Sequence, residues 1–447
     1  MQKRFTASLI GMILLALLAF DAIADTAEDN WPNWRGPNAD GIAPKGNPPV
    51  TWSETENIKW KVEIPGRGSS TPVVWGDKIF LQTAVPTTAT IAEETSAPPQ
   101  PARRRRGPPT TPAPKSPLEF KLLCLDRGTG EILWERTAIE AIPHEGHHPT
   151  GTFASNSPVT DGEHVWASFG SRGLYCYDLD GNKKWSKDLI KMTIKLNFGE
   201  GSSPALVGDS IVVVMDHEGD SKLFAFEKNT GELLWETDRQ ERTSWASPMA
   251  VKVGDSYQIV TCATSLIRSY DAKTGDLIWQ SGGLTANAIP TPVVGFGNIY
   301  CTSGFRGYAL KAIELGHTGD LTDSDAIVWE VDRGTPYVAS PLLYGDKIYV
   351  TDGLRPNLSC YNAETGAPIF ENQKLEGLRQ IYASPVGASG RIYFAGRNGV
   401  TLVLKQSDSF EVLATNTLDE GFDASPVVIG DELYLRGSKH LYCIADQ

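Results

Sequence analysis

The chain has 447 residues, 40% of them hydrophobic and 21% charged, with 43 Gly, 29 Pro and 12 Trp. That composition excludes a disordered chain and a long-helical one, and describes a globular protein with many turns. A formal net charge of −13 argues against general nucleic-acid binding, because phosphate repulsion would have to be overcome by a concentrated basic patch.

The chain opens with Lys3 and Arg4, an apolar run from Leu9 to Phe20, and Ala22-Ile23-Ala24. This is the form of a cleaved export signal over residues 1–24, with a mature chain beginning at Asp25. The run is shorter than the roughly 18 residues of a membrane anchor, and no Cys stands near the cleavage point to take a lipid. Loss of the leader, which carries a net +1, takes the formal charge from −13 to −14. The expected location is periplasmic or secreted, with no membrane span after cleavage.

Residues 25–56 form an N-terminal extension, and 57–447 are governed by a repeat. Its marker is Ser or Thr followed by Pro and an apolar residue, at Pro72, Pro158, Pro204, Pro248, Pro292, Pro341, Pro385 and Pro426. After a first interval of 86 residues the spacings run from 41 to 49, the period of a four-stranded propeller blade. Within one period, Ala205–Val207, Ile211–Val214, Leu223–Phe226 and Leu233–Trp235 read as four strands. The third turn, as in Asp126-Arg127-Gly128-Thr129-Gly130, has an Asp that bonds its own turn and a Gly for a positive φ. A Trp near the end of the fourth strand, at 134, 185, 235, 279 and 329, becomes Phe370 and fades to Leu413. It reads as packing against the neighbouring blade.

The eighth copy ends after its third strand, Leu441–Ile444, while Ile58–Val62 is an orphan strand carrying Trp60. The fold class is therefore all-β, an eight-bladed propeller of four-stranded antiparallel blades, the last closed by the N-terminal strand. The long first interval holds a Pro- and Arg-rich stretch, about 86–117 with Arg103–Arg106, expected to be a disordered loop in blade 1. Cys124, Cys176, Cys360 and Cys443 share one place in the repeat with Ala225, which marks free thiols at a small buried position.

The unit Asp271 to Trp279 resembles the repeat of the pyrroloquinoline-quinone-type propellers, a superfamily that includes quinoprotein alcohol dehydrogenases and the lipoprotein scaffold of outer-membrane protein assembly. The resemblance covers about residues 57–447. Trp31-Pro32-Asn33-Trp34-Arg35-Gly36-Pro37-Asn38-Ala39-Asp40-Gly41 looks like the mature N-terminus of a bacterial exported branch of such proteins. The dehydrogenases cover their cofactor with adjacent disulfide-bonded cysteines, which this chain lacks, and their catalytic Asp and calcium ligands cannot be placed here. The scaffold's lipidated Cys is also absent. Fold does not settle function.

Strand alternation puts the first and third turns of each blade on one face and the second turns and blade-to-blade connections on the other. This second face receives His144–His148, Asp216-His217-Glu218 and Arg239–Trp245. His147, His148, Asp216, His217 and Glu218 are candidate metal ligands by residue type, though in no known ligand spacing. Arg172, Arg306, Arg355, Arg397 and Arg436 occupy second turns, and a convergent ring of them would hold carboxylates or phosphates. With Trp245 they form the candidate ligand site. No nucleophile elbow, zinc-helix or phosphate-loop motif is present. The expectation is a monomeric extracytoplasmic scaffold without a cofactor, binding a protein, a peptide or an anionic saccharide on this face. The alternative is an atypical dehydrogenase using pyrroloquinoline quinone with calcium.

Overall fold

A computed structural model describes residues 26–87, 110–264 and 266–446. The expected leader, residues 1–24, and the centre of the expected disordered insert lie outside them. The insert's C-terminal shoulder is placed: Thr111 pairs antiparallel with His147, and Thr87 N–H bonds the Pro117 carbonyl. No helix of the described residues is long and apolar enough to cross a membrane.

The eight blades are eight separate antiparallel sheets arranged in a ring. Blade 3 is representative, with Ala205–Val207 innermost, then Ser210–Met215, Ser221–Glu227 and Leu233–Arg239 outermost. Its second and third strands are buried almost throughout, whereas the outermost strand alternates, as expected where blades pack face to face and only the rim meets water. Blade 8 takes its outermost strand from Ile58–Glu63, paired with His440–Ile444 so that Trp60 stands opposite Cys443. This is the closure expected of the orphan strand.

The Trp positions define how blades dock. Trp235 donates its indole N–H to the Ala272 carbonyl in the third turn of blade 4, at 3.1 Å. Its ring lies on Gly275, whose φ is +76° and where an added Cβ would stand 2.5 Å from Trp235 Cε3. The third-turn glycine thus serves both a left-handed backbone and the close approach of the neighbouring indole. Trp60, Trp134, Trp185 and Trp329 donate likewise to Arg127, Leu179, Lys228 and Ala363. Trp279 turns instead to Gln258 Oε1, because blade 5 has no such third turn and its Gly319–Asp320 pairs with Leu277–Gly282.

Each docking ring stands opposite a small residue on the third strand of its own blade: Cys124, Cys176, Ala225, Ser269, Ala312, Cys360 and Cys443. A bulky partner there would push the indole out of the interface. All six cysteines are free and buried, and burial pushes the thiols of Cys124, Cys176, Cys360 and Cys443 up to about 12.

Register moves the fading Trp position in blade 7. Val403 pairs with Ala414, so the equivalent residue is Ala414 and not Leu413, which is exposed. The missing indole is replaced from the N-terminal extension. Trp52, 3% exposed, stacks on Tyr393 with centroids 6.4 Å apart, as Trp60 meets Tyr434 and Trp329 meets Tyr300 in their blades. Asn416 holds its backbone there, accepting from the Trp52 main-chain N–H and donating to the Val50 carbonyl.

Two outcomes follow from this closure. Deleting residues 57–64 should leave the edge of His440–Ile444 open, with loss of a single thermal transition and association on a sizing column; a monomer melting at the intact protein's temperature would refute closure by this strand. Trp52→Ala should cost about 3–5 kcal/mol in urea unfolding, whereas Leu413→Ala should be nearly neutral.

Candidate functional site

The marker hydroxyls meet at the neck of the central channel. Each marker backbone N–H donates to the hydroxyl oxygen of the marker in the next blade. Thr71 donates to Ser157, Ser157 to Ser203, Ser203 to Ser247 and Ser247 to Thr291, at 2.9, 2.9, 2.9 and 3.1 Å. Thr291 then donates to Ser340, Ser340 to Ser384, Ser384 to Ser425 and Ser425 back to Thr71, at 2.9, 2.9, 3.0 and 3.1 Å. The circle is closed. All eight markers carry a Ser or Thr, whose short side chain presents a hydroxyl oxygen at this reach. The following Pro has no N–H to satisfy and holds the marker extended.

Below the neck the N-terminal extension fills the channel. Trp31, fully buried, exchanges both backbone hydrogen bonds with Val74 in blade 1. Pro32 accepts from Thr160 in blade 2, and Ile42–Ala43 runs parallel to the innermost strand of blade 7. Between them Arg35, 1% exposed, donates to the carbonyls of Pro341, Pro385 and Asp40 at 2.8–2.9 Å. Burial pulls its guanidinium down to about 10. Gly41, with φ +85°, leaves room for it, since a Cβ there would stand 2.6 Å from Arg35 Cζ. Trp34 then forms part of the floor of the cavity above.

The result is a blind funnel of about 450 Å³, opening on the face of the second turns and blade connections. Its wall is set by one register. The residue two places before every marker hydroxyl lines it, and all eight are half-buried, whereas the hydroxyls themselves are buried. Trp245 is one of these and is fixed by an indole N–H bond to the Gly199 carbonyl at 2.7 Å. Phe305, Tyr337 and Leu354 extend the wall upward, with Phe305 stacked on Tyr337 at 4.9 Å. Across from them stand His148 and Phe198, 5.1 Å apart edge to face.

The rim carries backbone strain. Leu196, Asn197, Asn287, Arg306 and Gln380 all hold positive φ on this face, a conformation costing of order 1–3 kcal/mol for a branched residue such as Leu. Neighbouring blades hold the Leu196 loop in place: Lys195 N–H bonds Thr243 Oγ1, its Nζ bonds Asn287 Oδ1, and Ile194 N–H bonds Glu145 Oε2.

The arginines singled out from the sequence are not brought together. Arg172 pairs with Glu200 at 2.7 Å, and Arg397 with Asp423. Arg355 is exposed beside Asp352, and Arg306 is exposed over the Phe305 ring. Arg436 is buried against Ser70 and the Gln82 carbonyl, which pulls its guanidinium down to about 9. Among the described residues none of the five lines the funnel, although Phe305 and Leu354, the second-turn neighbours of Arg306 and Arg355, do.

The candidate metal ligands are likewise dispersed into local contacts. Asp216 accepts from Arg239 Nε and Nη2, along one guanidinium edge, at 2.7 and 2.9 Å, and from Ser244. His217 Nδ1 accepts from Thr193 and Gly219 N–H, and Glu218 accepts from Thr243. His147 bonds the His148 carbonyl through Nδ1, and His148 bonds Thr150. No group of three or more His, Cys, Asp or Glu gathers as a metal site among the described residues. Of the candidate residues read in the sequence, Trp245 and His148 line the funnel. The seven other residues two places before a marker are not singled out by the sequence reading, although counting back from each marker locates them.

Three comparisons place the chain among known proteins. The model of the family described as outer membrane protein assembly factor BamB matches residues 119–371 and 326–447. The outer membrane protein assembly factor BamB of Yersinia pestis is 22% identical over 333 residues, covering 70% of this chain and 76% of that protein. In fold, the chain is similar to BamB from Moraxella catarrhalis (TM-score 0.52, 18% identity, 73% of this chain and 91% of that one). It is equally similar to the computationally designed Ika8 protein (TM-score 0.52, 12% identity, 74% and 94%).

The neck circle is tested by substitution. Ser203→Ala should leave the buried Ser157 N–H without an acceptor and cost about 1–3 kcal/mol, while Ser203→Thr, which restores the oxygen as in Thr71 and Thr291, should cost much less. Equal urea midpoints for the two variants would show that the hydroxyl is dispensable.

Proposed function

Since the chain belongs to the BamB family of outer membrane protein assembly factors, we propose that it is an extracytoplasmic, protein-binding scaffold that holds a segment of an outer-membrane protein in its funnel. The observation that carries the reading is the blind funnel itself. Its floor is sealed by the chain's own extension and its wall is rigid at the neck. The side chains it offers are mainly aromatic, aliphatic and hydroxyl groups, with His148 and two arginine-paired carboxylates, Glu200 and Asp423, beside them. Sites of this kind bind by shape and desolvation with a few placed polar groups.

The charge arrangement favours a polypeptide over an anionic saccharide. The carboxylates at the wall, Glu200 and Asp423, are each paired with an arginine, and the arginines are thereby engaged. Burial, with Arg397 and His147 nearby, lowers the pKa of His148 and favours its neutral form. The family match supports a scaffold and does not favour the quinone-dependent dehydrogenase.

Site-directed photo-crosslinking tests the reading. A benzophenone amino acid at Leu354, on the funnel rim, should crosslink a urea-unfolded outer-membrane β-barrel protein diluted into buffer with residues 25–447. The same group at Leu233, exposed on the outermost strand of blade 3, should not. Crosslinking from Leu233 alone, or equally from both, would overturn the assignment.

A further inference from the structure

The eight wall residues are not equivalent around the ring. In blades 4, 5, 6 and 7 they are Trp245, Ile289, Val338 and Tyr382. In blades 8, 1, 2 and 3 they are Asp423, Ser69, Ser155 and Gly201. One contiguous half of the wall is therefore large and apolar, and the other half is small or polar. The division continues above the neck. Phe305, Tyr337 and Leu354 stand over the apolar arc, and Thr150 and Thr152 over the polar one, joined there by Phe198.

Resting on the proposed function, we infer that the funnel selects an uncharged, two-sided polypeptide segment, with apolar side chains against blades 4–7 and small or hydroxyl-bearing ones against blades 8–3. An extended chain points successive side chains to opposite sides, so an alternating segment entering along the axis meets both arcs at once. A helix of equal length would turn its apolar stripe over about 100° and leave the rest of its girth against the wrong arc. The volume of about 450 Å³ admits a segment of a few residues and not a folded domain, being in the range of sites that enclose small ligands, roughly 300–1,000 Å³. Charge on the segment is disfavoured because the ionised wall groups already have partners: Arg397 bonds Asp423 through two nitrogens, and Glu200 receives Arg172 and the Ser171 N–H. An added charge would be desolvated without a counter-charge.

Blocked hexapeptides, acetylated and amidated, provide the test, with binding read by isothermal titration calorimetry. Alternating Phe/Ser should bind at least about tenfold more tightly than alternating Phe/Glu, and alternating Ser/Gly should not bind measurably. The double substitution Ile289→Ser and Tyr382→Ser should weaken the Phe/Ser peptide by about tenfold or more. On the other arc, Gly201→Val should weaken it similarly with an unchanged melting temperature. Gly201 is not in the left-handed region, and its Cβ would meet only Trp245 Cδ1, at 3.6 Å. Equal affinity for Phe/Ser and Phe/Glu, or variants that bind as the parent does, would overturn the two-sided assignment. If Leu354 still crosslinks the barrel protein in that case, the scaffold reading stands and the selectivity alone is wrong. Loss of both would remove both.

Discussion

A ring of eight sheets stays closed only if each sheet is tied to the next at the point where they converge, and here that tie is a hydrogen bond repeated eight times. Each marker N–H would be buried without a partner if the next blade did not bring a hydroxyl oxygen to it, and an orphaned buried donor costs about 1–3 kcal/mol. Every bond in the circle depends on the placement of two blades. The neck radius is thereby fixed, and with it the direction of the residue two places earlier in the chain. The same constraint that closes the propeller aims the wall of the funnel.

Docking at the perimeter is the counterpart of the tie at the neck. At five of the eight blade boundaries an indole lies across the seam, with a small residue beneath it and a glycine in front of it. Thus the Cys or Ala on the third strand, the Trp on the fourth and the Gly of the next third turn form one unit drawn from two blades. Four of the six cysteines sit at these packing positions as free thiols, and desolvation holds them protonated.

The features legible in the sequence were those that recur: the marker, the strand order, the docking Trp and the orphan strand that completes blade 8. What recurrence hides is the exception. Blade 7 has Ala414 where an indole is needed, and its substitute, Trp52, lies more than three hundred residues away in a segment without repeat character. Arg35 is similarly opaque, since a lone arginine in an extension reads as solvated, and only the packed channel shows its three carbonyl partners. The second-turn arginines misled for the opposite reason. They do recur, but their carboxylate partners come from connections whose course the repeat does not specify, such as Glu200 for Arg172 and Asp423 for Arg397.

A repeat protein acquires a specific site by breaking its own symmetry where symmetry is not needed for folding. At the marker position all eight copies carry Ser or Thr, whose hydroxyl oxygen closes the circle. Two residues earlier the backbone is held by that circle, yet the side chain touches no obligatory partner, so Trp, Ile, Val, Tyr, Asp, Ser and Gly all occur. The extension adds a second break. By crossing from blades 1 and 2 to blade 7 beneath the neck, it converts a through-channel into a blind pocket and makes the two faces of the ring chemically different. Stability is thus carried by the positions that repeat, and whatever the protein recognises is decided by the ones that do not.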